Sequence, residues 1–361
     1  MIEYPMAVQT PLPDAKDLSL RARPVAAEKL PHGVHAEPGL PLVLRCAHDG
    51  PKDVTAVQEW YGAERHKIEA LTVDHGAVLL RGFALPSVEA FGRLSAHHTE
   101  HRLRYVGGAT PRARVSGHVY ESTRIDARFK IELHQEKSYM PSFPRLLAFY
   151  CEYPPEEGGE TLVCDMCEVT DRLPEDLKSR FARLGVLYKR NFRDGERRDM
   201  AIESGVLRDY HRVWQEAFDC QERADVERQC AQIGLQFEWL NDGSVTVSNV
   251  RPALVHHAGS GREIWFNQVT AQHPNPRSMG SRYHLLERFY ARRPAYPYEV
   301  RYGDGGPISL NDLLPIYSAF GQCEIAVSWQ QGDYLLIDNI QVAHGRNPYS
   351  GSRVIRVALM D

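Results

Sequence analysis

Between Ser328 and Arg356 the chain alternates strand-forming runs with turn chemistry, and it sets one histidine and one arginine at matched distances from a turn. Two apolar, β-branched runs, 334–337 and 354–359, flank the cluster Asn347-Pro348-Tyr349-Ser350-Gly351, which is turn chemistry between strand signals. The pattern predicts a β-hairpin. With a turn closed symmetrically about Pro348 and Tyr349, His344 lies opposite Arg353, and cross-strand partners share one sheet face with Cβ atoms roughly 5 Å apart. A histidine beside an anion-binding arginine is the beginning of a metal site, and other segments must supply the remaining ligands.

A His-x-Glu pair is the natural complement, but the motif is cheap. With 16 histidines and 47 acidic residues in 361 positions, chance alone gives about two such pairs. Three occur: His35/Glu37, His98/Glu100 and His134/Glu136. Residues i and i+2 point the same way only in an extended chain. His98 lies in a helical pattern, where i and i+2 diverge by roughly 200°. His35 sits among Gly33, Pro38, Gly39 and Pro41 and reads as a loop with no strand to hold its ligands. His134 follows the alternating run 129–133, so this pair alone combines a strand with the right parity.

His134, Glu136 and His344 would form a two-histidine, one-carboxylate facial set that leaves three cis positions open, which suits non-haem Fe(II) chemistry. Arg353 adds the bidentate cation that the distal carboxylate of 2-oxoglutarate needs when its keto acid end chelates iron.

Several further segments accompany these residues: Gly76-Ala-Val-Leu-Leu-Arg-Gly-Phe83, Pro111-Arg112, Val119-Tyr-Glu-Ser-Thr123, the stretch 154–165 with its Gly158-Gly-Glu-Thr161 core, and Gly332-Asp-Tyr-Leu-Leu-Ile-Asp-Asn339. Together they resemble the taurine dioxygenase and clavaminate synthase-like iron(II)/2-oxoglutarate oxygenases, from about Leu40 to Asp361. The resemblance implies an α+β, mainly β fold with a double-stranded β-helix (jelly roll) core, helical insertions and flanking helices. It implies Fe(II) as cofactor, 2-oxoglutarate and O₂ as cosubstrates, and a Thr161 hydroxyl beside Arg353 on the distal carboxylate. The pattern looks most like the branch near the syringomycin-pathway hydroxylase, whose members commonly oxidise amino acids or amino-acid-derived intermediates of natural-product biosynthesis, free or carrier-bound. Relatives that halogenate lack the carboxylate, so Glu136 implies hydroxylation, with desaturation or cyclisation open. Taurine or another sulfonate is the alternative substrate. A zinc hydrolase or a silent small-molecule-binding jelly roll are the readings of other classes, and neither requires Arg353 and Thr161 aimed at a second carboxylate.

Composition fits a small-molecule enzyme. An apolar content of 43% is ample for a core. A net charge of -4 with interspersed signs gives no nucleic-acid footprint. No stretch approaches a membrane span, and Met-Ile-Glu begins no signal peptide, so a cytoplasmic chain without membrane partners is expected. Seven cysteines, of which only Cys164 and Cys167 are close, argue against a disulfide framework and complete no zinc site. A homo-oligomer is compatible with everything above.

Residues 1–38 carry six prolines and little periodicity, which predicts an extended arm before a single domain over 39–361. Helices are expected near 54–71, 87–102, 206–218 and 281–290, strands at Ala77–Arg81, 129–133, Leu146–Tyr153 and 161–164, and a hairpin at Asn241-Asp242-Gly243. The 208 positions from Glu136 to His344 must hold core strands plus insertions, chiefly a helical one at about 167–297 that would cover a jelly roll mouth. Other candidates rank below the triad. Adjacent His256 and His257 face opposite ways in a strand and cannot share a metal. His273 could line the mouth, Gly303-Asp-Gly-Gly306 reads as a turn, and Trp329 reads as a core aromatic. Arg346 reads either as an anion ligand or as part of a solvated turn.

Overall fold

The computed structural model describes residues 25–101, 114–116, 119–122, 125–197, 199–203, 206–280 and 282–361. Pro111-Arg112, Thr123 and the first 24 residues of the expected arm lie outside the described residues.

The strand Leu146–Tyr153 explains the layering, because its side chains alternate between two apolar cores. Leu147, Phe149 and Cys151 face one core; Leu146, Ala148 and Tyr150 face the other. It sits inside an eight-stranded sheet, flanked by Tyr334–Asp338 and Val354–Met360. Helices Val54–His75 and Val88–Ser95 cover one face of that sheet through Val57, Tyr61, Ile68, Phe91 and Leu94. Burial on both faces is why these strands read as unbroken apolar runs rather than alternating ones.

On the opposite face, Val163, Val327 and Val342 join the apolar layer. They belong to a four-stranded sheet ordered Glu324–Val327, Thr161–Asp165, Val342–Arg346, Ile131–His134. The far face of this small sheet contributes Leu133, Leu162, Cys164 and Ala343 to a third core. That core is completed by a further sheet of Gln236–Trp239, Val245–Arg251, Val186–Phe192 and Tyr298–Tyr302, with its helices. Residues 167–297, expected as a helical insertion, thus hold three of this third sheet's four strands. The Asn241-Asp242-Gly243 turn closes its hairpin, with Trp239 opposite Val245.

The predicted C-terminal hairpin does not form. Its two runs share the large sheet, but they pair with opposite edges of Leu146–Tyr153. Between them, Val342–Arg346 crosses to the small sheet and pairs on both sides, while Tyr349–Ser350 pairs with Glu157–Gly158. Turn chemistry was legible, but in two facing sheets the chain after a turn can change sheet instead of folding back.

Three smaller expectations also change. His35 lies in the edge strand Val34–Glu37, paired with Leu42–Cys46, and not in a loop. The second helix stops at Ser95 because His98 turns inward, its Nε2 at 2.8 Å from the Tyr61 hydroxyl. The expected helix 206–218 is two short ones, Val206–Tyr210 and Trp214–Ala217. Backbone bonds from Arg193 N–H to Arg212 O and from Trp214 N–H to Arg193 O interrupt it.

Candidate metal centre

His134 and His344 meet because Ile131–His134 and Val342–Arg346 pair antiparallel with those two residues opposite each other. Their ring centroids lie 4.4 Å apart. The register then slips, with Arg346 opposite Ile131, so Ile131–His134 carries an extra residue that tightens the local approach. Gly345 sits at this contact, where a Cβ would come within 2.6 Å of the Ile131 carbonyl oxygen. Only glycine lets the strands close there.

The His134 ring is oriented by its own strand. Nδ1–H donates to the Glu132 carbonyl at 2.8 Å, which sets the tautomer and turns the lone pair of Nε2 outward for a metal. Glu136 follows in a turn whose next residue, Lys137, has φ 56, a conformation uncommon for a residue with a side chain. Asn339 holds that turn: its Oδ1 accepts from Glu136 N–H at 2.7 Å, and its Nδ2 donates to the carbonyls of Glu136 at 3.0 Å and Pro144 at 2.8 Å. Gln135 anchors the same turn by donating to the carbonyls of Trp265 and Ile340, while its own carbonyl accepts from Gln268. As a result, ligand atoms of His134, Glu136 and His344 all lie within 4.8 Å of one another. Two neutral imidazoles and one carboxylate are a donor set that fits a divalent first-row ion with open positions.

Arg353 reaches the same cavity by a different route from the expected one. It precedes Val354–Met360 and is no cross-strand neighbour of His344, because that hairpin is absent. Its Nε–H donates to the Gly159 carbonyl at 2.8 Å and its Nη2–H to Thr161 Oγ1 at 3.3 Å. Gly159, at φ 67, leaves the room this needs, since a Cβ would lie 3.1 Å from Arg353 Cδ. His134, His344, Thr161 and Arg353 line one cavity together, with Phe149 and Ile355 as apolar wall. Burial, reinforced by Arg346, draws the Arg353 guanidinium down to about 10, so it remains cationic at neutral pH.

Arg356 faces away, donating to Glu152 at 2.7 Å. Arg346 is buried, not in a solvated turn; its guanidinium donates to the carbonyls of Ile125, Asp126 and Phe129. His257 is a buried structural partner of Asp338 at 3.0 Å, whereas His256 is exposed beside Glu263. His273 donates to the Ile308 carbonyl, and residues 303–306 form a turn. No disulfide links the seven cysteines, and burial raises the Cys167 thiol to about 11. Trp329 is a core aromatic as expected, but it also bonds to Thr161. Asn339, Gln135 and Gln268 were missed as supports; the one signal was the Asp338-Asn339 pair closing an apolar run, which is turn chemistry with side-chain acceptors. Among the described residues, no helix is long and apolar enough to cross a membrane.

Residues 41–359 match the family described as taurine catabolism dioxygenase TauD, TfdA family. The chain is 30% identical over 328 residues to the dapdiamide synthesis protein DdaC of Enterobacter agglomerans, covering 91% of this chain and 93% of that protein. It is 31% identical over 303 residues to a clavaminate synthase-like protein of Arabidopsis thaliana, covering 82% and 84%. Among solved structures, PvcB of Pseudomonas aeruginosa aligns at 14% identity with a TM-score of 0.49, over 88% of this chain and 85% of that one.

Proposed function

The chain belongs to the TauD, TfdA family and is an iron(II)- and 2-oxoglutarate-dependent dioxygenase, and from that premise we propose that it oxidises an unactivated C–H bond of an amino acid or amino-acid-derived intermediate in a biosynthetic pathway. Hydroxylation is the expected outcome, with desaturation or cyclisation as variants, on a free or carrier-bound substrate. The two facing sheets are read as its double-stranded β-helix. The observation that carries the reading is one cavity lined by His134, His344, Thr161 and Arg353, with a Glu136 carboxylate oxygen within 4.8 Å of the ligand nitrogens of the two histidines.

In this reading His134, Glu136 and His344 hold the iron, and Thr161 with Arg353 holds the distal carboxylate of 2-oxoglutarate. When bound, the iron and cosubstrate supply O₂ activation coupled to decarboxylation to succinate and CO₂. The chain's own residues position and insulate. Glu132 keeps the His134 Nε2 lone pair turned outward, Asn339 fixes the backbone from which Glu136 projects, and the Arg353 guanidinium pairs with the anion. Phe149, 5.2 Å from the His344 ring, and Ile355 give the cavity an apolar wall, which strengthens electrostatic interactions inside it. As a third ligand Glu136 would leave no place for a halide on the metal, which would favour oxygen insertion over halogenation. The extended similarity to a protein of dapdiamide synthesis supports a biosynthetic small-molecule substrate.

The test is a panel of free and carrier-bound amino acids supplied with Fe(II), 2-oxoglutarate and O₂. At least one should stimulate succinate release and gain one oxygen atom or lose two hydrogens by mass spectrometry. A chlorinated major product in chloride would overturn Glu136 as a ligand, and taurine-dependent sulfite release would replace the substrate class.

A further inference from the structure

Thr161 lies under two donors at once. Trp329 Nε1–H reaches its Oγ1 at 3.0 Å, and Arg353 Nη2–H reaches it at 3.3 Å. A hydroxyl oxygen has two acceptor lone pairs and one hydrogen. With both lone pairs taken, that hydrogen can go only to a further acceptor. We propose that Trp329 is a positioning residue that fixes the Thr161 hydroxyl as a donor toward the distal carboxylate of 2-oxoglutarate. The inference rests on Thr161 and Arg353 forming the cosubstrate's anion pocket.

The indole and not the hydroxyl sets this polarity. Val327 pairs with Thr161 across the small sheet, which brings Trp329, two residues on, over the same strand end. Trp329 is 7% exposed and Thr161 4%. The ring is packed in the apolar layer with Phe149, Val163, Leu335 and Ile355. A packed indole cannot swing, and its buried N–H demands an acceptor, so the freely rotating hydroxyl adapts to it. Thr161 then offers a hydrogen, and Arg353 offers only hydrogens. Such a pair matches an acceptor-only carboxylate, whereas the N–H of an amide would meet donors alone.

The experiment titrates the anaerobic Fe(II) enzyme with 2-oxoglutarate and with 2-oxobutyrate, which carries the same keto acid head without the distal carboxylate, following the visible absorption of the chelate. Trp329→Phe should weaken 2-oxoglutarate about tenfold and leave 2-oxobutyrate unchanged. Thr161→Val should do the same, and adding Trp329→Phe to it should cost little more, because both act through one hydrogen bond. Equal weakening of the two ligands by Trp329→Phe would reduce Trp329 to packing and overturn the proposal. A full preference retained in Trp329→Phe would overturn it as well, while leaving the anion pocket in place. An unaltered enzyme that binds both ligands alike would instead remove the anion pocket itself. If circular dichroism shows Trp329→Phe unfolded, Thr161→Ser decides: its less restricted hydroxyl should keep the preference because the indole still holds it. Loss in Thr161→Ser, or retention in Thr161→Val, overturns the proposal.

Discussion

The large and small sheets share one apolar layer yet dispose of their polar groups in opposite ways. On the large sheet and the helices that cover it, polar side chains close on each other. Tyr61 touches both His98, at 2.8 Å, and the Tyr334 hydroxyl, at 3.2 Å, and His98 Nδ1 lies 3.1 Å from Glu69. Arg81 grips Asp333, 1% exposed, with Nε–H and Nη2–H together. On the small sheet, His134, His344 and Thr161 converge on a cavity with Arg353. A buried polar group satisfied by a neighbour stabilises the fold, whereas one turned into a cavity is set up to bind. Substitutions on the two sheets should therefore fail differently.

The largest contrast is at the proposed metal ligands. His134→Ala or His344→Ala should take substrate-dependent succinate formation to background while the thermal midpoint stays close to that of the unaltered protein. Full turnover in either purified variant would break the comparison at its root.

The two C-terminal arginines come next. Arg353→Leu should raise the 2-oxoglutarate KM steeply, since losing a buried charge-assisted contact costs about 2–5 kcal/mol. Arg356→Leu should leave that KM nearly unchanged, because Arg356 pairs with Glu152 and lies 3.9 Å from Glu121. The reverse pattern would mean that Arg356, and not Arg353, reaches the cosubstrate.

Arg81→Met inverts the expectation for the small sheet. It leaves Asp333 buried without its cation, a loss of about 3–5 kcal/mol in stability, to be read from urea unfolding. The 2-oxoglutarate KM of the folded fraction should not move. A changed KM with unchanged stability would show that the Arg81–Asp333 pair serves the site rather than the fold.

The smallest effect concerns pH, and it lies beside the third sheet, in the link between the helices Val206–Tyr210 and Trp214–Ala217. His211 donates to Asn191, and burial, helped by Arg193, holds its imidazole down at about 3. The unfolded chain therefore takes up a proton, between its ordinary value near 6.5 and about 3, that the folded chain refuses. Stability from this group is full above the upper limit and falls as pH drops through the window. The thermal midpoint should decline more gently in His211→Gln over that range, and match the unaltered slope above it. An equal decline below pH 6 would mean that His211 is already protonated in the fold.

Much of the candidate site was legible because its signals are local. The alternation before His134 marked a strand end, but the strand parity expected to align Glu136 does not apply, because the strand stops at His134 and Glu136 reaches the site from a turn. The i/i+3 spacing of Arg353 and Arg356 placed them on opposite faces, although the hairpin that motivated the choice is absent. Asn339 and Trp329 were not legible as supports, since each acts on a residue more than 160 positions away, Glu136 and Thr161 respectively. Residues 206–218 were misread because backbone bonds to Arg193 outbid helical propensity.

The sequence by itself therefore determined the residue types and the buried runs, because periods of 2 and 3.6 are properties of neighbouring residues. Only the tertiary structure decided that Val342–Arg346 leaves the large sheet to pair with Ile131–His134, and that Arg353 enters beside Gly159 instead of across a hairpin. Those choices depend on which faces can be buried together across long loops, a balance of apolar burial and chain closure that no local pattern encodes.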